Sequence, residues 1–97
     1  MATNLWTDEE LKKAVQAYLR MLNCERNGTP YVKAEINREL QGKINRNRGS
    51  IEKRFQNISS ILADHNLPYI KGYLPLNNIG PTNKEKIWQI LRQLQNF

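Results

Sequence analysis

Along the 97 residues, apolar side chains recur at helical spacing in four stretches, divided by polar segments that carry glycine or proline. In the first stretch Leu11, Val15, Tyr18 and Leu22 fall on one face, with Ala14 and Met21 beside them. The residues before it, Trp6-Thr7-Asp8-Glu9-Glu10-Leu11, spell a capping box, in which Thr7 accepts from the Glu10 amide and Glu10 reaches back to the Thr7 amide. Trp6 and Leu11 then stand at the staple positions, and the three acids favour the positive end of the helix dipole. This helix is expected to run to about Cys24. The turn residues Glu25 to Thr29, followed by Pro30, cannot continue it.

Val32, Ile36 and Leu40 recur every fourth residue and predict a short second helix over Lys33 to Leu40, stopped by Gly42. Ser50 is a candidate N-cap for a third helix from Ile51 to about His65, with Ile51, Phe55, Ile58, Ile61 and Leu62 as its buried stripe. Its other positions, Glu52, Lys53, Arg54, Gln56, Asn57 and Ser60, are polar. Asn66 tolerates the left-handed backbone that ends a helix, and Pro68 follows. Leu67 to Pro81, with three prolines and two glycines, reads as an ordered but irregular connection, and loops of that length often carry function. Thr82 and Glu85 form a further candidate capping box, and Ile87, Trp88, Leu91 and Leu94 give the apolar face of a fourth helix to Phe97. The expectation is an all-α, compact bundle of four helices in a single domain over residues 1–97, with a helix-turn-helix-like unit and a long ordered loop before the last helix. Trp6 and Trp88 are expected in its core.

A chain of this length buries roughly 65% of its unfolded surface, so no disulfide or structural metal is required for folding. Cys24 and His65 stand alone as cysteine and histidine, which excludes a disulfide framework and a Cys/His zinc site within one chain. The start has no basic, apolar leader and no stretch approaches membrane-spanning length, so a cytoplasmic protein is expected. No nucleophile–base pair, glycine-rich phosphate loop or metal-binding carboxylate cluster can be drawn from the chain, and neither catalysis nor a cofactor is expected. His65 reads as a cap or surface residue.

Fifteen Lys/Arg against nine Asp/Glu give a net charge of +6, which suits a polyanionic partner. From Lys33 to Arg54 there are seven basic residues (Lys33, Arg38, Lys43, Arg46, Arg48, Lys53, Arg54) and three acidic ones (Glu35, Glu39, Glu52), so +4 of the excess lies there. A basic segment leading into a helix with one polar face fits the plan in which a recognition helix enters the major groove of double-stranded DNA. On that plan Lys53, Arg54, Gln56 and Asn57 point outward, with Arg54 suited to guanine and Gln56 or Asn57 to adenine. Lys43, Arg46 and Arg48 would hold phosphates, which give affinity without sequence information. Asn57 is equally suited to burial against the backbone of the long loop, and Arg54 to a surface ion pair. Tyr69, Lys71 and Tyr73 set rings beside a cation, an arrangement that could stack on an exposed base, although tyrosines in such a loop more often pack on the core.

Two likenesses follow from these residues. WTDEELKKAV and RNRGSIEKRFQNI resemble the first and third helices of Myb/SANT-type domains, without that family's regularly spaced tryptophans. Over most of the chain, WTDEEL, Tyr31-Val32-Lys33, Arg48-x-Ser50-Ile51-Glu52, Gln56-Asn57-Ile58-Ser59 and Pro68-Tyr69-Ile70-x-Gly72-Tyr73-x-Pro75 with Asn77 resemble the N-terminal module ahead of nuclease domains in HNH-type restriction endonucleases and related defence proteins. That resemblance implies a DNA-recognition domain in which Arg48, Ser50, Glu52, Arg54, Gln56 and Asn57 form the most recognisable block, covalently linked to a nuclease domain elsewhere in a longer polypeptide. This chain carries no HNH motif and has Asn66 where the resembled pattern has glycine. Modified cytosine is one candidate target. Phe97 directly follows an amphipathic stretch, a place where either a fragment or a true C-terminus could fall. The expected species is a monomer. A stand-alone regulator, dimeric on a symmetrical operator, and a protein-interaction domain using Tyr69 to Ile79 are the other classes the sequence allows.

Overall fold

The computed structural model describes residues 5–95 and 97, and among these it contains four helices and no strand. They are α1 (Asp8–Asn27), α2 (Lys33–Lys43), α3 (Arg48–Asp64) and α4 (Pro81–Gln95), in the all-α bundle that the periodicity predicts.

The start of α1 is the expected capping box: Thr7 Oγ1 accepts from the Glu10 amide at 3.1 Å, and Glu10 Oε1 accepts from the Thr7 amide at 2.8 Å. The helix runs past Cys24 to Asn27 and stops where Gly28 takes a left-handed φ of 70°, sending its N–H back to the Cys24 and Glu25 carbonyls. Glu25 to Asn27 are compatible with helix, so the stop falls at the first residue for which that conformation is easy.

Gly42 does not stop α2. It lies in the last turn, where a glycine costs less than in a helix interior, and the helix runs on to Lys43 so that the cap residue Ile44 is buried in the core with its N–H bonded to the Leu40 carbonyl. The α3 helix is capped by Asn47, whose Oδ1 accepts from the Ser50 amide at 2.8 Å, so Ser50 lies inside the first turn and is not the cap. Asparagine caps as well as serine, and capping at Asn47 starts the helix three residues early. Residues 44–47 alone then join α2 to α3. Similarly α4 begins at Pro81, where the absent N–H is no loss, and the Gly80 carbonyl accepts from Lys84. Thr82 therefore sits in the first turn, and Glu85 accepts from Gln89 Nε2 rather than capping.

The α1 helix is the spine, packed against each of the other three. Leu11, Val15, Tyr18 and Leu22 meet Ile36 and Leu40 of α2, Ile51, Phe55, Ile58 and Leu62 of α3, and Ile87 and Leu91 of α4 in one buried cluster. Trp6 belongs to it, whereas Trp88 is half-buried at its edge, lying flat on His65 with ring centroids 3.7 Å apart. The connection from His65 to Gly80 is tied down along its length. Asn66 takes a φ of 57°, Ile70 and Tyr73 are buried, and the Ile70 amide donates to the Tyr18 hydroxyl at 3.0 Å. That hydroxyl also shares a 2.7 Å hydrogen bond with Ser59 Oγ, and burial pushes its pKa up to about 12. It stays protonated and neutral.

Candidate nucleic-acid interface

The C-terminal half of α3 is enclosed on nearly all sides, with Asn57, Ser59 and Ser60 buried alongside its apolar residues. Its first two turns are what remains for a partner. They form a ridge between two clefts: Ser50, Lys53, Arg54 and Asn57 face one, of about 370 Å³, and Arg48, Glu52 and Gln56 face the other, of about 260 Å³. Helical spacing of three and four residues makes this division.

The larger cleft is closed on its far side by Asn78, Gly80 and Asn83, the approach to α4 and its first turn, and Trp6 contributes to its wall. Three cations and three asparagines line it, and no carboxylate does. The Arg54 guanidinium lies 4.8 Å over the Trp6 ring and that of Arg46 lies 4.9 Å over the same ring. Such contacts strengthen as the cation loses water. Burial, and after it the neighbouring Arg46 charge, hold the Arg54 pKa below the usual guanidinium value. Its Nη1 donates to Asn57 Oδ1 at 3.3 Å, while its buried Nε has no partner among the described residues. The guanidinium lies inward on Trp6, not outward from the helix as base reading would need.

Asn57 is the joint between helix and loop. Its Nδ2 donates to the Leu76 carbonyl at 2.7 Å and to Asn78 Oδ1 at 2.9 Å, and the Leu76 amide returns a bond to the Gln56 carbonyl. Of the two roles its sequence context allows, the buried one is found, because Leu76 and Asn78 come back across α3 to meet it.

Arg46 is occupied within the protein. Its Nε and Nη2 reach Glu10 Oε2 and Oε1 at 3.2 and 3.0 Å, its Nη2 also donates to the Leu5 carbonyl at 2.7 Å, and both charged side chains are largely buried. The bidentate hydrogen bond from Arg46 holds the Glu10 carboxyl below its ordinary pKa. Arg46 thus pins the α2–α3 turn to the start of α1 and cannot reach freely for a phosphate. The other basic positions differ. Lys43 and Lys53 are exposed without an ion pair among the described residues, and Arg48 makes a surface pair with Glu52 at 2.9 Å while its side chain stays 71% exposed. Surface pairs of that kind exchange readily for a phosphate. Gln56 is half-buried on the second cleft.

The loop residues divide. Tyr73 packs its ring on Phe55 at 5.1 Å, with Lys33 Nζ 4.7 Å above it and bonded to the Gly72 carbonyl, so it is a core residue. A Cβ at Gly72 would come within 2.8 Å of Lys33 Nζ, the movable end of a long side chain, and would displace it from the Gly72 carbonyl. Tyr69 and Lys71 are exposed. Sequence patterns give no sign of Asn78, Gly80 and Asn83 as site residues, since their approach to α3 depends on the path of the loop. Among the described residues no group of His, Cys, Asp and Glu could hold a metal ion, and no helix is long and apolar enough to cross a membrane. No family model, curated protein or solved structure matches the chain.

Proposed function

We propose that the chain is a non-catalytic DNA-binding module, the target-recognition part of a restriction or defence endonuclease, and that it grips a duplex through the α3 ridge. The observation that carries this reading is the acid-free cleft over Trp6, where the cation Arg54 has no carboxylate partner among the described residues. A solvated basic face kept for solubility has no reason to desolvate a guanidinium. Lys43, Arg48, Lys53 and Arg54 supply phosphate contacts, and Gln56 is the ridge side chain placed for base edges. The resemblance of the Arg48 to Ser59 block supports a linked nuclease domain as the catalytic partner.

The test is an anisotropy titration of labelled duplexes carrying unmodified, methylated or hydroxymethylated cytosine, at several salt concentrations. With Arg46 occupied by Glu10, four phosphate-binding cations remain, fewer than the sequence suggests. The slope of log affinity against log salt is then about −3.5. Preference for one modified duplex identifies a modification reader, and equal, salt-sensitive binding a general module. Absence of binding at low salt refutes the reading. Leu74, 67% exposed on the loop, would then favour a surface that holds an adjoining domain.

A further inference from the structure

The cleft over Trp6 differs from the rest of the basic surface in one respect: its charge is held in place before any ligand arrives. Arg46 is fixed by Glu10 and Leu5, Arg54 is stacked on Trp6 and bonded to Asn57, and Asn57 is in turn bonded to Leu76 and Asn78. Two guanidinium groups therefore share one ring, and only Arg46 has a carboxylate. The charge left over belongs to Arg54, and Lys53 stands exposed beside it. Opposite them Gly80 and Asn83, at the start of α4, line the same space, and the first turn of that helix carries no acidic residue. A partly dehydrated, preoriented cation with an uncompensated charge is suited to a compact oxyanion carrying several acceptors, more than to a halide or a neutral base.

We propose that this cleft is a discrete phosphate-binding site, in which Arg54 and Lys53 hold one phosphate group and Asn57 positions Arg54 for it. The inference rests on the DNA reading only for the source of that phosphate, which is then a single backbone phosphate held in a fixed place while Lys43 and Arg48 make looser contacts. Its consequence is register: one clamped phosphate fixes where the α3 ridge meets the duplex.

The test is a titration of the full chain with inorganic phosphate at constant ionic strength, followed by amide and indole NMR, and then by addition of a short duplex. The expected result is saturable, millimolar binding that shifts the Trp6 indole and the Ser50 and Asn83 amides, with chloride producing none of it. Arg54→Lys, which keeps the charge and loses the planar stack, should weaken phosphate binding tenfold or more. Lys53→Gln, an exposed change that leaves folding alone, should weaken it several-fold. Displacement of the phosphate by duplex, with the same resonances moved, supports a backbone phosphate as ligand. Saturable phosphate binding without duplex binding upholds the site and overturns the DNA reading, leaving a phosphorylated small molecule as the ligand. Weak shifts scattered over the basic surface overturn the proposal, as does duplex binding that leaves the cleft resonances still; the latter spares the DNA reading.

Discussion

Replacing Asn57 by alanine separates a structural joint from a base-reading side chain. The change removes the bonds from Nδ2 to the Leu76 carbonyl at 2.7 Å and to Asn78 Oδ1 at 2.9 Å, and the 3.3 Å contact from Arg54. A net hydrogen bond contributes about 0.5–1.5 kcal/mol, with more lost where a buried group is left unpaired. Asn78 is exposed and regains water, so its share is at the low end; Leu76 and Arg54 are half-buried and do not recover as easily. The total is about 2–3 kcal/mol, which for a domain of this size lowers Tm by roughly 10–20 °C. Urea unfolding followed by circular dichroism measures it. Binding should weaken together with stability, and equally for every duplex sequence, because the loss runs through the mobility of Arg54 and of the loop. A variant within about 0.5 kcal/mol of the parent that has lost discrimination between duplexes would refute this reasoning and make Asn57 a reader of bases.

Other predictions concern the frame around the site. Tyr18→Phe leaves the buried Ile70 amide without an acceptor and deprives Ser59 of its partner, so stability should fall by about 1–3 kcal/mol, with faster hydrogen exchange confined to the loop around Ile70; unchanged exchange there would contradict the anchoring role. Glu10→Gln keeps a capping amide but loses the charge that Arg46 needs. Because the Glu10 pKa is lowered below 4.5 in the folded state, its contribution is present above that value and lost as pH falls through the folded pKa. The variant should therefore be less stable by about 1–2 kcal/mol at neutral pH, with the difference from the parent shrinking as pH falls through the lowered Glu10 pKa. A difference independent of pH would show that the charge is not what matters.

Much of the frame was legible in the residues themselves. The Thr7–Glu10 box, the apolar faces of α1 and α3 and the left-handed Asn66 are local features, and local spacing specifies them. The start of α3 was not, because Asn47 and Ser50 are both good caps three residues apart and pattern alone does not choose between them. Nor was the end of α2, where the pull of Ile44 into the core outweighs the glycine before it. The candidate site was legible as a region but not in its parts. Arg46 belongs to Glu10, 36 residues away, and Asn57 to Leu76 and Asn78, about twenty residues away, through the path of the loop. Such partners follow from tertiary packing, so a basic run identifies the surface without saying which cations are already spent.

Lys53 is the residue on which the central claim turns, since it is exposed at the mouth of the cleft with no ion pair among the described residues. The direct test is an anisotropy titration of one labelled duplex at low salt with the parent chain and with Lys53→Glu, after equal thermal melts have shown both to be folded. The parent should bind and the variant should bind at least tenfold more weakly, the difference narrowing as salt is raised. Equal affinity of the two, or no binding by the parent, would contradict the account.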